Sequence, residues 1–460
     1  MNPASTIHRR GVVALTVIWA IAIAAVVVAA TQILAFRQAA LGRETLARTQ
    51  ARWAARAGVE TMIAIMEWHT ANPDAGDPMA MARDLEDNAI GELETGSWDI
   101  RHFIDGREWA GPMDEHAKLN VNLAGRGELE KIPGMTQDVV DSILDWRDAD
   151  NDVQGLGAER DYYRNRSVGY EPRNGDFRSI AELELVAGAW PKSVRGEDWN
   201  MNGRLDPNED DGRASPPEDR KDGILDPGWS GYLTAVSRAS KKTLSGQDRL
   251  DLRQASPEQI VERTGVDATQ AAAIQNYARQ SGASLGQFLA TPLAQVGSAR
   301  SRTTAGTTGR SSVGRTSGST QGAASSVKSL SKDQLKALMN ECVLTDPRAG
   351  VSKEAGKLNL NTASRNTLIE VLGLEPRFAD AILRRRTSRP EGLTSLADLA
   401  DLSGASQPQL LTLAQMADVT SSVYTIACRG RAASTGAEAE MVVVVDRSEI
   451  PARILEYREP

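Results

Sequence analysis

VVALTVIWAIAIAAVVVAATQILAF, residues 12–36, runs 25 positions without a charged side chain. At about 1.5 Å per helical residue it spans the roughly 30 Å hydrocarbon core of a bilayer. Arg9 and Arg10 precede it, a pattern that keeps the short N-terminus in the cytoplasm and sends the rest outward. Arg37, Arg43 and Arg48 follow and weaken that signal. A secretory signal has a shorter apolar core that ends in small residues at a cleavage site. Here helix-compatible sequence continues with no proline until Pro73. One helix of about 57 residues, roughly 85 Å long, is therefore expected from Val12 to Trp68, and only its first half suits lipid.

With 460 residues the chain has room for two to four domains. Its 41% hydrophobic and 25% charged content is ordinary for a globular protein, and a formal net charge of -8 gives no overall attraction for phosphate backbones or anionic lipid. Two cysteines, Cys342 and Cys428, are too few for a disulfide scaffold or a cysteine-rich metal protein. HExxH, CxxC, Walker-type and GxSxG patterns are absent, and the sequence offers no nucleophile–base pairing. Catalysis is not expected.

Beyond residue 113 one pattern recurs three times: KLNVNLAGRGELEKIPGMTQDVVDSILDWRD (118–148), RLDLRQASPEQIVERTGVDATQAAAIQNYAR (249–279) and KLNLNTASRNTLIEVLGLEPRFADAILRRR (357–386). Each has a strand-like start, a polar turn, a helix, an apolar–Gly–apolar break and a second helix. The breaks are Pro133-Gly134-Met135, Thr264-Gly265-Val266 and Leu372-Gly373-Leu374, where glycine permits a tight turn with positive φ. A further short unit follows each: FRSIAELELVAG, ASLGQFLA and LTSLADLADLSG. These read as helix-hairpin-helix bundles with aliphatic residues inward at helical spacing. Such hairpins can hold nucleic acid through turn amides. The charge weighs against it: residues 118–147 carry four basic against five acidic side chains, 249–279 four against four, and only 357–389 is basic, seven against three, through Arg384, Arg385, Arg386 and Arg389. Nucleic acid is not the favoured partner.

SWDIRHF (97–103) alternates as a strand, and VYTIACRGRA, AEMVVVVDRS and ARILEYRE form a C-terminal pair or trio of strands. Strands on both sides of a long helical region fit a sheet with a domain inserted into it.

DWNMNGRLDPNE (198–209) matches the twelve-residue EF-hand calcium loop. Asp198, Asn200 and Asn202 hold positions one, three and five, Gly203 six, Arg204 seven through its carbonyl, Asp206 nine and Glu209 twelve. DGILDP (222–227) is a degenerate half-copy. Flanking helices are not evident, so a structural calcium staple is expected rather than a sensor, the alternative being a solvated acidic turn. A second candidate, DADNDVQGLGAE, keeps Asp148, Asp150, Asp152 and Glu159 at positions one, three, five and twelve, but Val153 replaces the glycine. It reads as a calcium site or as an acidic surface loop.

Residues 297–329 are rich in Gly, Ser, Thr and Arg with no acid and no aromatic, and a flexible tether is expected over 294–330. Cys342 and Cys428 either pair outside the cytoplasm or remain two buried thiols.

The basic leader, glycine, apolar helix and amphipathic extension resemble type IV pilin-like proteins, in which prepilin peptidase cuts after the glycine, here between Gly11 and Val12. A plain signal anchor, never cut, is the alternative. Thr16 stands at the fifth mature position, where most pilins and pseudopilins carry Glu to meet a neighbour's N-terminal amine. An unpartnered carboxylate there would cost about 2.5 to 3.5 kcal/mol on insertion scales. DEHAKLNVN (114–122), DWRDADN (145–151), GAERDYY (157–163), YEPRNGDFRSIAELELVAG (170–188), GKLNLNTAS (356–364) and VTSSVYTIACRGRA (419–432) resemble, in order, motifs of the type II secretion system protein K family, the large minor pseudopilins. No family counterpart is evident between 191 and 350.

The resemblance implies a non-enzymatic subunit at the pseudopilus tip, held in the inner membrane with its bulk in the periplasm, processed by prepilin peptidase with methylation, partnered by other minor pseudopilins, with calcium in its helical head. The fold class expected is α+β: a pilin-like N-terminal transmembrane helix plus an antiparallel sheet (96–113 and 419–460), with a large inserted α-helical domain of helix-hairpin-helix, SAM-like repeats. That domain divides into a first repeat with its acidic loop (114–190), a calcium-loop region (191–230), a second repeat (231–293), the tether and a third repeat (331–418). The alternative function is a membrane-anchored DNA-binding or uptake protein.

Overall fold

The structure, a computed structural model, describes residues 7–296, 327–344 and 355–459. Helix α1, Ile7–Ala71, is unbroken over 65 residues, longer at both ends than the sequence suggests. Among the described residues it is the one helix long and apolar enough to cross a membrane. Its apolar half is bare, with Val13, Trp19, Val26 and Phe36 all exposed. Burial begins at Ala47 and recurs at Ala51, Ala54, Ala55, Val59, Met62 and Met66, a stripe at helical spacing.

That stripe lies on a seven-stranded antiparallel sheet. Its strands are β1 (Ile90–Leu93), β2 (Gly96–Ile104), β3 (Arg107–Ala110), β4 (Met113–Asp114), β5 (Val423–Ala432), β6 (Glu438–Asp446) and β7 (Arg453–Arg458). The order is β1-β2-β5-β6-β7, with β3 against β2 and β4 against β5. Ile100, Ile426, Cys428, Met441, Val443 and Val445 form the core under α1. Small residues set the approach: a Cβ on Gly430 would lie 2.0 Å from the Ala51 carbonyl oxygen, and one on Gly58 would lie 2.7 Å from Cys428 Sγ. Helix α2 (Ala80–Asp87) adds Met81 and Leu85 to this core.

Everything from 115 to 422 enters between β4 and β5, which pair directly, Asp114 opposite Tyr424 and Met113 opposite Thr425. The insertion therefore leaves and returns at neighbouring points. Its first residues tie the junction together. Asp114 accepts from His116 N (2.8 Å), from the Thr362 and Ser421 hydroxyls (2.5 Å each) and from the Asn359 amide (3.3 Å). Glu115 accepts from the hydroxyls of Thr234 (2.5 Å) and Thr425 (2.6 Å).

The three repeats fold as three related units. The first holds α3 (Arg126–Leu129) and α4 (Gln137–Arg147), the second α5 (Pro257–Thr264) and α6 (Ala268–Ala278), and the third a π-helical turn, Thr367–Val371, then α7 (Pro376–Thr387). Gly134, Gly265 and Gly373 turn the chain between them at φ +74°, +65° and +68°. Each unit is closed by a two-residue parallel pairing: Leu119–Asn120 with Leu233–Thr234, Leu250–Asp251 with Cys342–Val343, and Leu358–Asn359 with Ala417–Asp418. In the first, Asn122 exchanges hydrogen bonds with Phe177 (2.8 and 3.0 Å); in the third, Asn361 does the same with Leu393 (2.7 and 3.0 Å).

These closures shift the expected boundaries. Residues 233–234 complete the first unit rather than opening the second. Helix Lys332–Glu341 and Cys342 belong to the second rather than the third, because Leu338 and Cys342 sit in its core. The first and third units share one core. Most of the expected tether, 297–326, lies outside the described residues. Its edges are not tether: Leu293–Val296 is helical with both end residues buried, and Val327 and Leu330 pack on the second core.

The close seat of α1 on β5 is testable. Gly430→Ala should lower the thermal midpoint, costing on the order of 1–3 kcal/mol by overpacking. Gly127→Ala, whose methyl would meet nothing within 4 Å in α3, should be neutral or slightly stabilising. Scanning calorimetry of the two variants checks this.

Candidate functional site

Three carboxylates converge where α4 ends. Asp145 projects from its last turn, Asp148 follows at the C-cap, and Glu159 arrives from the far side of the loop just before helix Arg160–Arg164. Their oxygens lie within 4.8 Å of one another. Asp145 accepts from Gln154 N (3.2 Å), and Asp148 accepts from Gln154 Nε2 (2.8 Å) and Asp150 N (3.3 Å). Glu159 is only 3% exposed, and neither of its oxygens has a hydrogen-bond partner among the described residues. Behind it Trp146, Tyr163, Tyr170 and Phe177 pack edge-on and stacked, closing that side to water.

Burial pushes Glu159 up to about 7 and Asp145 up to about 6, and their charges and that of Asp148 repel one another further. Burial raises Asp148 as well, with the charge of Asp150 adding to it. The nearby Arg126 is taken by Asp141. The three carboxylates together present hard oxygen atoms of the kind a cation such as calcium takes.

Of the residues expected here, Asp148 and Glu159 come together and Asp150 and Asp152 do not. Both are exposed, and Asp150 spends its carboxylate on Asp152 N (2.9 Å) in a local turn. Without glycine at Val153 the loop is not wound as an EF-hand, and its positive φ comes later, at Gly155 (+58°). Asp145 takes their place. Its position three residues before Asp148, on one helical face, was the available signal.

The 198–209 loop is wound as its pattern suggests. Asp198 accepts from Asn202 N (3.0 Å) and Gly203 N (2.9 Å), Asn200 from Asn202 N (3.0 Å) and Asn202 from Arg204 N (2.7 Å), with Gly203 at φ +70°. Glu209 closes it by accepting from Trp199 N (3.0 Å) and Asp206 N (3.1 Å). Asp198, Asn202, Asp206 and Glu209 are buried. Burial pushes Glu209 up to about 8 and Asp198 up to about 6, with repulsion inside the loop adding to each.

Two features were not foreseen. Asp206 receives the amides of Asn200 (2.9 Å) and Asn202 (3.0 Å) and an ion pair from Arg429 of β5, so a protein cation already stands at the loop. Arg204, expected to offer only its carbonyl, turns its side chain to Asp99 of β2. The half-copy 222–227 repeats the local winding, with Lys221 and Gly223 at +52° and +71° where Met201 and Gly203 stand at +52° and +70°, and Asp226 N donates to Glu197 (3.1 Å).

Gly11 and Val12 lie within α1. Cys342 and Cys428 are both free and buried, in different cores, and burial pushes each thiol up to about 12; the disulfide alternative is not realised.

Fold and sites together define an α+β protein with one long, apolar N-terminal helix, whose sheet carries an inserted helical head with two acidic loops. Residues 127–196, which hold the whole Asp145–Asp148–Glu159 site, match the family model described as type II secretion system (T2SS), protein K. The matched segment is therefore similar to protein K of that system, the family whose motifs the sequence resembles. Among solved structures, the crystal structure of the GspK-GspI-GspJ complex from the enterotoxigenic Escherichia coli type 2 secretion system is similar to the chain at 12% identity and a TM-score of 0.40, covering 90% of this chain and 96% of that one. No curated protein matches the chain in sequence.

The raised carboxyls set a pH dependence. An ordinary Glu ionises near 4.5 and Glu159 near 7 when folded, so between those values the unfolded state holds fewer protons and is favoured. In chelator, stability should fall as pH rises from about 5 to 8, by on the order of 2 kcal/mol for this group. Glu159→Gln should flatten that part of the slope, as read by denaturant midpoints at pH 5 and 8.

Proposed function

We propose that this chain is a non-enzymatic minor pseudopilin of the type II secretion system, standing at the tip of the pseudopilus and supporting protein export. The observation that carries the reading is α1: one uninterrupted helix, bare and apolar for its first half, then seated by small residues on an antiparallel sheet, in a chain whose residues 127–196 match the protein K family model. The bare half stands in the inner membrane, with the N-terminus cytoplasmic and the head periplasmic. Prepilin peptidase cuts between Gly11 and Val12, followed by methylation. At Thr16 the hydroxyl donates to the Val13 carbonyl (2.8 Å), so it asks nothing of a neighbouring subunit. A neutral, self-satisfied fifth position and a bulky inserted head suit a subunit with none above it. Its partners are then other minor pseudopilins.

Calcium is the structural ion of this reading. Asp145, Asp148 and Glu159 would hold it in the first unit, and Asp198, Asn200, Asn202, Asp206, Glu209 and the Arg204 carbonyl would hold a second. The ion would neutralise buried carboxylates that otherwise repel, with no part in any reaction. Calcium at 100 times its dissociation constant stabilises by about 2.7 kcal/mol. The thermal midpoint in calcium should exceed that in chelator, Asp145→Asn with Glu159→Gln should remove the first site's share of the difference, and adding Asp198→Asn with Glu209→Gln should remove the rest; equal midpoints in the unmutated protein would refute the ion.

The DNA-binding alternative, with the three units as helix-hairpin-helix elements, gains no support. Arg386 spends its guanidinium on the Leu360 (2.9 Å) and Ala363 (2.6 Å) carbonyls. Pro133 and Pro376 lack turn amides, and Asp267 already caps Gln270 N (2.8 Å). Purification of the full chain from detergent-solubilised membranes should bring down other minor pseudopilins. Recovery of none, with salt-dependent retention of DNA near physiological ionic strength, would reverse the choice.

A further inference from the structure

The inserted head meets the sheet at the junction of β4 and β5, and cavities flank that junction on both faces. One, of about 590 Å³, is lined by Met113, Glu115 and Thr425. The other, a cleft of about 1680 Å³, is lined by Asp114, Ser422 and Tyr424, the residues that alternate with them. Little apolar packing therefore holds the head against the layer beneath it. Across the larger cleft, Arg83 donates to the Pro390 carbonyl (2.6 Å) and Arg365 N to Asp105 (2.9 Å), both exposed contacts of the kind that contribute little.

The second attachment is of another kind. Beyond the smaller cavity, the 198–209 loop lies across four strands and bonds to each. Asn202 donates to Glu440 of β6 (3.0 Å). Arg429 of β5 pairs with Asp206 and stands 3.9 Å from Glu440. Arg204 donates to the Asp99 carbonyl and carboxylate of β2 (3.1 Å each), and Phe103 N donates to the Gly203 carbonyl (2.7 Å). Arg458 of β7 donates to the Asn200 (2.6 Å) and Met201 (3.1 Å) carbonyls. On the loop side Asn202, Gly203, Arg204 and Asp206 are buried, their partners on the sheet are half-buried, and most of the bonds are charge-assisted, the stronger class of hydrogen bond. Cutting one partner leaves a buried charge unpaired.

We propose that the head is mounted on a hinge with a latch: the paired strands at 113–115 and 423–425 are the hinge, and the 198–209 loop, pinned by Arg429, is the latch. Releasing the loop lets the helical head rock as a body about two adjacent strands, with the flanking cavities giving it room. A few residues at element ends absorbing such a rotation is the usual form of hinge closure. The device depends on protein side chains and stands whether or not the loop also holds an ion.

Hydrogen exchange on the detergent-solubilised full chain tests the latch. Arg429→Gln should speed exchange of amides in 198–206 and 99–103 about tenfold or more, while α4, α6 and α7 keep unmutated rates. Spin labels on Ala64→Cys and Arg384→Cys, both exposed positions, should report one narrow distance distribution in the otherwise unmutated chain and a broad one with Arg429→Gln. If Arg429→Gln does not fold, Glu440→Gln removes one latch contact and should give a smaller change at the same amides. Unchanged exchange at 198–206, acceleration shared equally by α4, α6 and α7, or a distribution that stays narrow would each overturn the proposal.

Discussion

The structure depends on a buried polar knot where a helical domain of some 300 residues enters and leaves a seven-stranded sheet. Asp114 and Glu115 are each almost wholly out of water, and each is satisfied by donors from segments far apart in sequence. Asp114 gathers the third unit and the return strand; Glu115 gathers the closing strand of the first unit and β5. His116 adds the Lys357 carbonyl (2.8 Å) and the Ser422 hydroxyl (3.1 Å). Fully paired, such a network fixes the register at which the chain leaves and rejoins the sheet; with a member missing, it leaves a buried charge unpaired, which costs far more than an apolar contact of the same size. The DEHAK segment is thus the point through which the insertion is registered on the sheet.

Around this knot the division of labour is physical. Packing of small side chains joins α1 to the sheet, because alanines and glycines let the backbones approach. Apolar cores build the three units, two of them sharing one interior. Where the units face the sheet, polar and charged contacts take over and cavities remain. Large, nearly separate bodies joined by a small polar interface are the usual setting for relative motion.

Much of this was legible in the chain. The charge-free run of 25 residues, the alternating strands, the three recurring patterns and their glycines are local periodicities, and local periodicity is what a sequence displays. The winding of 198–209 was legible for the same reason, since ligand spacing and glycine sit within twelve residues. What escaped depends on distance. Asp145 becomes a site residue only when Glu159 folds back to it, and Arg429 and Glu440 meet the 198–209 loop across more than 200 positions. Two-residue closing strands are too short to carry a pattern, so the unit boundaries were misplaced. The cysteines could be paired or separate until their cores were known.

The functional account rests on α1 being the mature anchor of a subunit that stands among like helices. Mass spectrometry of the N-terminus of the full chain, taken from membranes of cells with active prepilin peptidase, addresses this most directly. The account predicts a chain beginning at Val12 and carrying a methyl group. A chain that still begins at Met1 would contradict it.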